Sequence, residues 1–213
     1  MQKYLIIDTE TANGLDCPIF YDFGFAVIDD LGTVYEQGSY VVREVFTDKE
    51  FMTSAYYAEK CPQYWADLKA GTRKMARLST IAEIVRKVMR EYGIDTVIAH
   101  NARFDALSTR TTQRYMTSSR YRYFFPRDTH FCDTLKMARA VLGKDENYRE
   151  FCVSNGYLTK RNCLRFTAEI LHRYLSGDNE FVEAHTALAD VLIEKDIFAY
   201  CKAQNPNCDG LLW

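Results

Sequence analysis

The sequence predicts an α/β fold: a mixed five-stranded sheet, three antiparallel strands first and parallel strands after, flanked by helices. Two observations lead there. Three strand-like apolar runs crowd the N-terminal part, and beyond them short apolar runs alternate with segments of helical period. A meander followed by strand–helix alternation makes the sheet mixed.

The first run is KYLIIDT, residues 3 to 9, apolar and closing on polar residues. The second, Asp22 to Asp30, and the third, Thr33 to Arg43, are separated by Leu31 and Gly32, which suit a tight turn. Residues 44 to 79 are mixed and read as loop and short helix. Thr80 to Tyr92 then sets Ile81, Ile84, Val85, Val88 and Met89 at helical spacing, with Gly93 as a stop. Asp95 to His100 is a compact strand, and Asn101 is a good N-cap for a helix reaching about Tyr115. His130 to Asp133 is the fifth strand. Helical segments follow over 135 to 142, 148 to 155, 163 to 175 and 186 to 203, with Gly156 and Gly177 as stops. Residues 205 to 213 read as a loose tail, in which Trp213 is a candidate partner contact.

The 213 residues suit a single domain over 1 to 213, and 47% hydrophobic residues with only 10 Gly and 4 Pro exclude low-complexity and disordered readings. Lys plus Arg (27) against Asp plus Glu (29) leaves a charge of −2, so polyanion binding needs a local patch or a metal. No apolar run is long enough for a membrane span, and Asp8 and Glu10 interrupt any secretory segment, so the expectation is a cytoplasmic protein without membrane contact. Seven scattered cysteines with no C-x-x-C pair read as reduced, mostly buried thiols.

Three clusters carry chemistry. In Asp8-Thr9-Glu10, strand alternation sends both carboxylates the same way. Their repulsion fits either a divalent cation or a polar strand end facing water. In IAHNARFD, residues 98 to 105, Asp105 falls in a first helical turn, where the helix dipole alone would favour an acid. His100 closes the strand and reads as structural. In His185-Thr186-Ala187-Leu188-Ala189-Asp190, five residues at about 100° each put the two end side chains roughly 140° apart on a helix. They converge only if the helix starts near Thr186, a fair N-cap, with His185 on the loop before it.

Taken in order, D-x-E, HNxxFD and H-x4-D resemble the DEDDh branch of the ribonuclease-H-like 3′-to-5′ exonucleases, the family of the bacterial polymerase III proofreading subunit and of ribonuclease T. The motifs span residues 8 to 190. The resemblance implies that Asp8, Glu10, Asp105 and Asp190 gather two Mg²⁺ or Mn²⁺ ions, with Asp8 bridging them, and that His185 is the general base. The sister branch carries tyrosine where this chain has Thr186. The implied activity is metal-dependent 3′-to-5′ hydrolysis of DNA to nucleoside 5′-monophosphates. The alternatives are an RNA-trimming exoribonuclease of the ribonuclease T kind and a non-catalytic nucleic-acid-binding module on the same fold.

The implied partner is a single-stranded or 3′-end nucleic acid, DNA favoured, with a polymerase or a second copy of the chain as a further partner. Thr9 and Thr11 beside the acids, and Asn101 and Phe104 at motif positions, are substrate-contact candidates, although Phe104 equally suits the core. Arg114, Arg120, Arg122 and Arg127 interleave with Tyr115, Tyr121, Tyr123, Phe124 and Phe125. That composition fits a single-strand track, with Arg120 and Arg122 as its contacts, or a solvated loop whose rings turn inward. Arg161 and Arg165 form a second basic candidate.

Overall fold

The computed structural model describes residues 1–118, 123–208 and 210–212. Six strands, β1 (Lys3–Ala12), β2 (Ile19–Asp29), β3 (Val34–Val42), β4 (Lys74–Ala76), β5 (Thr96–Ala99) and β6 (His130–Asp133), form one sheet in the order β4-β3-β2-β1-β5-β6. The first three are antiparallel neighbours, while β5 runs parallel to β1 and β6 parallel to β5. The strand beyond the expected five is β4, three residues lying parallel to β3 inside the segment expected to be loop and short helix. The same segment holds three α-helices, α1 (Arg43–Phe46), α2 (Lys49–Thr53) and α3 (Cys61–Ala70), and one turn of 3-10 helix, Ala58–Lys60.

The remaining helices are α4 (Leu78–Tyr92), α5 (Ala102–Met116), α6 (Thr134–Leu142), α7 (Glu146–Ser154), α8 (Ala168–Ser176) and α9 (Ala187–Gln204). Alternation along β1 assigns its two faces. Leu5 and Ile7 join a core with Ile81, Val85 and Val88 of α4 and Ala102 of α5, whereas Tyr4 and Ile6 join a core with Val191, Ile197 and Phe198 of α9. A strand covered on both faces tolerates the unbroken apolar run that the sequence shows. Residues 8 and 10 therefore emerge on the α9 side and residue 9 on the α5 side.

Three local expectations are corrected. Helix α8 begins at Ala168, not Cys163: Leu158 pairs with Leu164 in an isolated bridge, and the Thr167 hydroxyl accepts the Ile170 N–H to start the helix. Asn101 occupies the N-cap of α5 but its side chain makes no cap bond. Its backbone is left-handed (φ 64°), and its N–H donates to Asp133 Oδ1 at 2.9 Å. Within the expected loose tail, residues 210–212 are tied to β6: Gly210 O accepts the Asp133 N–H and the Leu212 N–H donates to Phe131 O, both at 2.9 Å. Trp213 lies outside the described residues.

Helix α9 crosses β2 at close range. A Cβ on Gly24 would stand 2.6 Å from the Ala187 carbonyl oxygen and closer still to Leu188 N, so only a residue without a side chain lets the helix start there. Gly24→Ala is expected to destabilise the protein by about 1 to 3 kcal/mol through forced displacement of α9. Thermal unfolding followed by circular dichroism checks this, and an unchanged midpoint would show that α9 moves without cost.

Candidate active site

Asp8 and Glu10 leave the end of β1 toward α9, whose first turn presents Asp190. One oxygen from each of the three lies within 4.8 Å of the others. The register opposes Asp8 to Gly24 and Glu10 to Asp22, and a bulge between Glu10 and Thr11 shifts the pairing by one residue just past the acids. Asp105 arrives from the opposite face of the sheet in the first turn of α5, where the Thr9 hydroxyl donates to its Oδ1 at 2.8 Å. Thr9 Oγ1 also lies 2.8 Å from the Ser108 hydroxyl. Strand alternation thus sends acids 8 and 10 to one helix and uses residue 9 to hold the acid of the other.

Burial dominates the electrostatics. It pushes Glu10 up to about 9, with the charges of Asp190 and Asp22 adding to the effect. It pushes Asp190 up to about 8, assisted by Glu183 and Asp22. Asp105 rises to about 7 because burial outweighs the Thr9 hydrogen bond, and Asp8 is raised well above the carboxylate range by burial and by Glu194, Asp105, Glu10 and Asp190. Asp190 Oδ1 is buried with no hydrogen-bond partner among the described residues. Hard oxygen donors, mutual repulsion and an orphaned carboxylate oxygen fit a Mg²⁺- or Mn²⁺-type cation better than a thiophilic metal.

His185 sits on the loop entering α9 with a left-handed backbone (φ 49°). Its ring stacks on Tyr57 at a centroid distance of 4.4 Å and 12° between planes, and its Nδ1 is 3.7 Å from Glu183 Oε2. Lys60 Nζ donates to the Ala184 carbonyl just before it. Burial and the Lys60 charge lower the His185 pKa, which keeps the imidazole neutral and able to accept a proton near neutral pH.

The other candidate contacts divide. Thr9 is buried and its hydroxyl is engaged with Asp105, so only its backbone remains for a substrate. Thr11 is half-buried at the mouth, its carbonyl accepting the Tyr56 N–H. Asn101 is exposed, and Phe104, the candidate that equally suited the core, is half-buried and belongs to neither apolar core. Arg120 and Arg122 lie outside the described residues. Of the neighbouring rings among the described residues, Phe124 and Phe125 are buried while Tyr115 and Tyr123 are exposed. His100 is structural as expected: its ring nitrogens meet Thr134 Oγ1 at 2.9 Å and Phe166 O at 2.8 Å.

Sequence reasoning missed Glu194, buried one turn beyond Asp190, where its Oε2 accepts the His100 N–H at 3.2 Å and its charge bears on Asp8. The available signal was an acid four residues after Asp190 on a face shared with Val191 and Ile197. It also missed Asp22, wholly buried on β2, and Tyr57, whose ring supports His185.

The sheet order and its flanking helices give the chain a fold it shares with solved structures of exonucleases. Among solved structures, the chain is similar to Exonuclease X in complex with 5′ overhanging duplex DNA, with 16% identity, a TM-score of 0.53 and coverage of 95% of this chain and 93% of that one. It is similar also to Exonuclease I from E. coli in complex with an oligonucleotide, with 15% identity and a TM-score of 0.62. A moderately thermophilic Exonuclease I from Methylocaldum szegediense gives 17% and 0.61. Both Exonuclease I comparisons cover 98% of this chain but only 42% of the longer one. No protein-family model and no curated protein matches the sequence.

The raised carboxylates set the sign of the pH dependence. Glu10, Asp105 and Asp190 keep protons in the native state that the unfolded chain has released, so without metal stability is greatest at low pH and declines as pH rises through their shifted values. In chelator the thermal midpoint is expected to fall between about pH 5 and about pH 9, and Mn²⁺ is expected to restore it, most strongly at the upper end. A profile that is flat in chelator and indifferent to Mn²⁺ would remove the carboxylate centre.

Proposed function

We propose that this chain is a divalent-metal-dependent 3′-to-5′ exonuclease that hydrolyses DNA from its 3′ end to nucleoside 5′-monophosphates. The observation that carries the reading is the convergence of Asp8, Glu10 and Asp190 within 4.8 Å, with Asp105 tied in by Thr9 and a lowered-pKa histidine at the rim. Support for DNA comes from the neighbours, Exonuclease X and Exonuclease I, whose complexes hold DNA or an oligonucleotide. A pure binding module has no use for acids that repel phosphate and each other.

Asp8, Glu10, Asp105 and Asp190 would hold two Mg²⁺ or Mn²⁺ ions, which when bound supply charge stabilisation at the scissile phosphate and acidify an attacking water. His185 accepts the proton on a ring nitrogen. Tyr57 fixes the plane of the imidazole, and Glu183 near Nδ1 favours the positive charge that develops. Thr11, Asn101 and Phe104 line the approach from the two strands' ends, and the backbone at Thr9 meets the terminal nucleotide.

The test uses 5′-labelled single-stranded DNA and RNA with Mg²⁺, Mn²⁺ or chelator. The wild type is expected to shorten DNA from its 3′ end with metal only, faster than RNA, with Asp8→Ala and His185→Ala slower by about 100-fold or more. Faster shortening of RNA would replace the substrate. No shortening of either strand would replace the enzyme by a binding module.

A further inference from the structure

The start of α9 has no local cap. Thr186 stands at the N-cap position, but its side chain accepts no bond from the first turn. The acceptor comes instead from another part of the chain: Asp22 Oδ2 on β2 takes the Ala187 N–H at 3.0 Å. The same oxygen accepts the Tyr64 hydroxyl at 3.0 Å, and Asp22 Oδ1 pairs with the Arg73 guanidinium. Asp22 and Tyr64 are fully buried and Arg73 is 5% exposed, and the guanidinium also lies 4.3 Å over the Tyr64 ring.

A buried carboxylate needs its charge and lone pairs satisfied, and here all the partners come from two places, the segment 64–73 and the first turn of α9. That turn carries Asp190, and the loop leading into it carries His185. Gly24, two residues along β2 on the same face, admits the helix at contact distance. Asp22 itself faces no open site, since its oxygens are occupied by protein donors.

We propose that Asp22, held by Arg73 and Tyr64, is a positioning residue that sets where α9 begins and thereby fixes Asp190 against Asp8 and Glu10 and His185 over the reacting end. The role of Asp190 and His185 rests on the exonuclease reading above. The placement of the helix start does not.

The experiment compares wild type with Asp22→Ala, Asp22→Asn and Tyr64→Phe in three measurements. Amide hydrogen exchange over residues 183–190 is expected to quicken in Asp22→Ala by about 10-fold or more while the central strands stay protected, because the Ala187 N–H loses its acceptor. Mn²⁺ affinity without nucleic acid is expected to weaken by about 10-fold in Asp22→Ala, and less in Asp22→Asn, which keeps an oxygen for Ala187. On labelled DNA the loss is expected in kcat with KM held within about 3-fold, and Asp22→Ala in a His185→Ala background is expected to add little to the single variants. Should Asp22→Ala not fold, Asp22→Asn and Tyr64→Phe carry the comparison with smaller effects of the same order. Unchanged exchange at 183–190 in every folded variant overturns the clamp. Faster exchange with unchanged Mn²⁺ affinity overturns its role at the site. A wild type that degrades nothing overturns the exonuclease reading while leaving the exchange result to decide the clamp.

Discussion

Repulsion among carboxylates at the end of one central strand is the constraint around which this molecule is arranged. Asp8, Glu10, Asp105, Asp190 and Glu194 lie close enough for their charges to raise one another, and burial deprives them of the water that would screen the effect. Nothing in a hydrophobic core calls for such a group. The acids stay together because packing holds their backbones: β1 is covered by apolar cores on both faces, and α5 and α9 bring their first turns to its carboxyl end. The stability of the framework is set against the strain of the site, as in proteins whose function needs an arrangement that folding alone would not choose.

The two faces solve the positioning problem differently. On the α5 side the solution is a direct contact: Thr9 lies between two acids in sequence, points to the opposite face and bonds Asp105, with Ser108 one turn along helping to hold the hydroxyl. On the α9 side it is long-range and electrostatic, with a buried aspartate on β2 receiving the first amide of the helix. A buried ion pair is weak evidence for stability, but it is a strong geometric specifier, since guanidinium and carboxylate tolerate little misalignment once water is excluded.

Much of this was legible in the sequence. The three opening strands, the 81–89 helical face and β6 follow from period and turn residues, and the acids that the structure gathers at the end of β1 lie in the motifs on which the family resemblance rests. What was hidden shares a physical cause. β4 is only three residues long and carries no period, and α8 begins late because Thr167 offers a better start than Cys163, after a turn at Asn162 (φ 58°) that periodicity cannot register. Asn101 looked like a cap by type but sits in a left-handed backbone that aims its side chain elsewhere. Asp22 with Arg73 and Ala187 joins positions 51 and 165 residues apart, a pairing no local pattern encodes. Glu194 went unread because its burial depends on strand ends remote in sequence, where it accepts the His100 N–H.

Residues 210–212 bear on what the border of the sheet presents to a further strand. By bonding to Phe131 and Asp133, residues 210–212 occupy hydrogen-bonding groups on β6, which would otherwise border the sheet. The opposite border is β4, three residues long. Neither border offers a long free row of amides and carbonyls, so the sheet is poorly suited to extend from one molecule into the next by strand addition. The sheet is a private scaffold, finished within one chain.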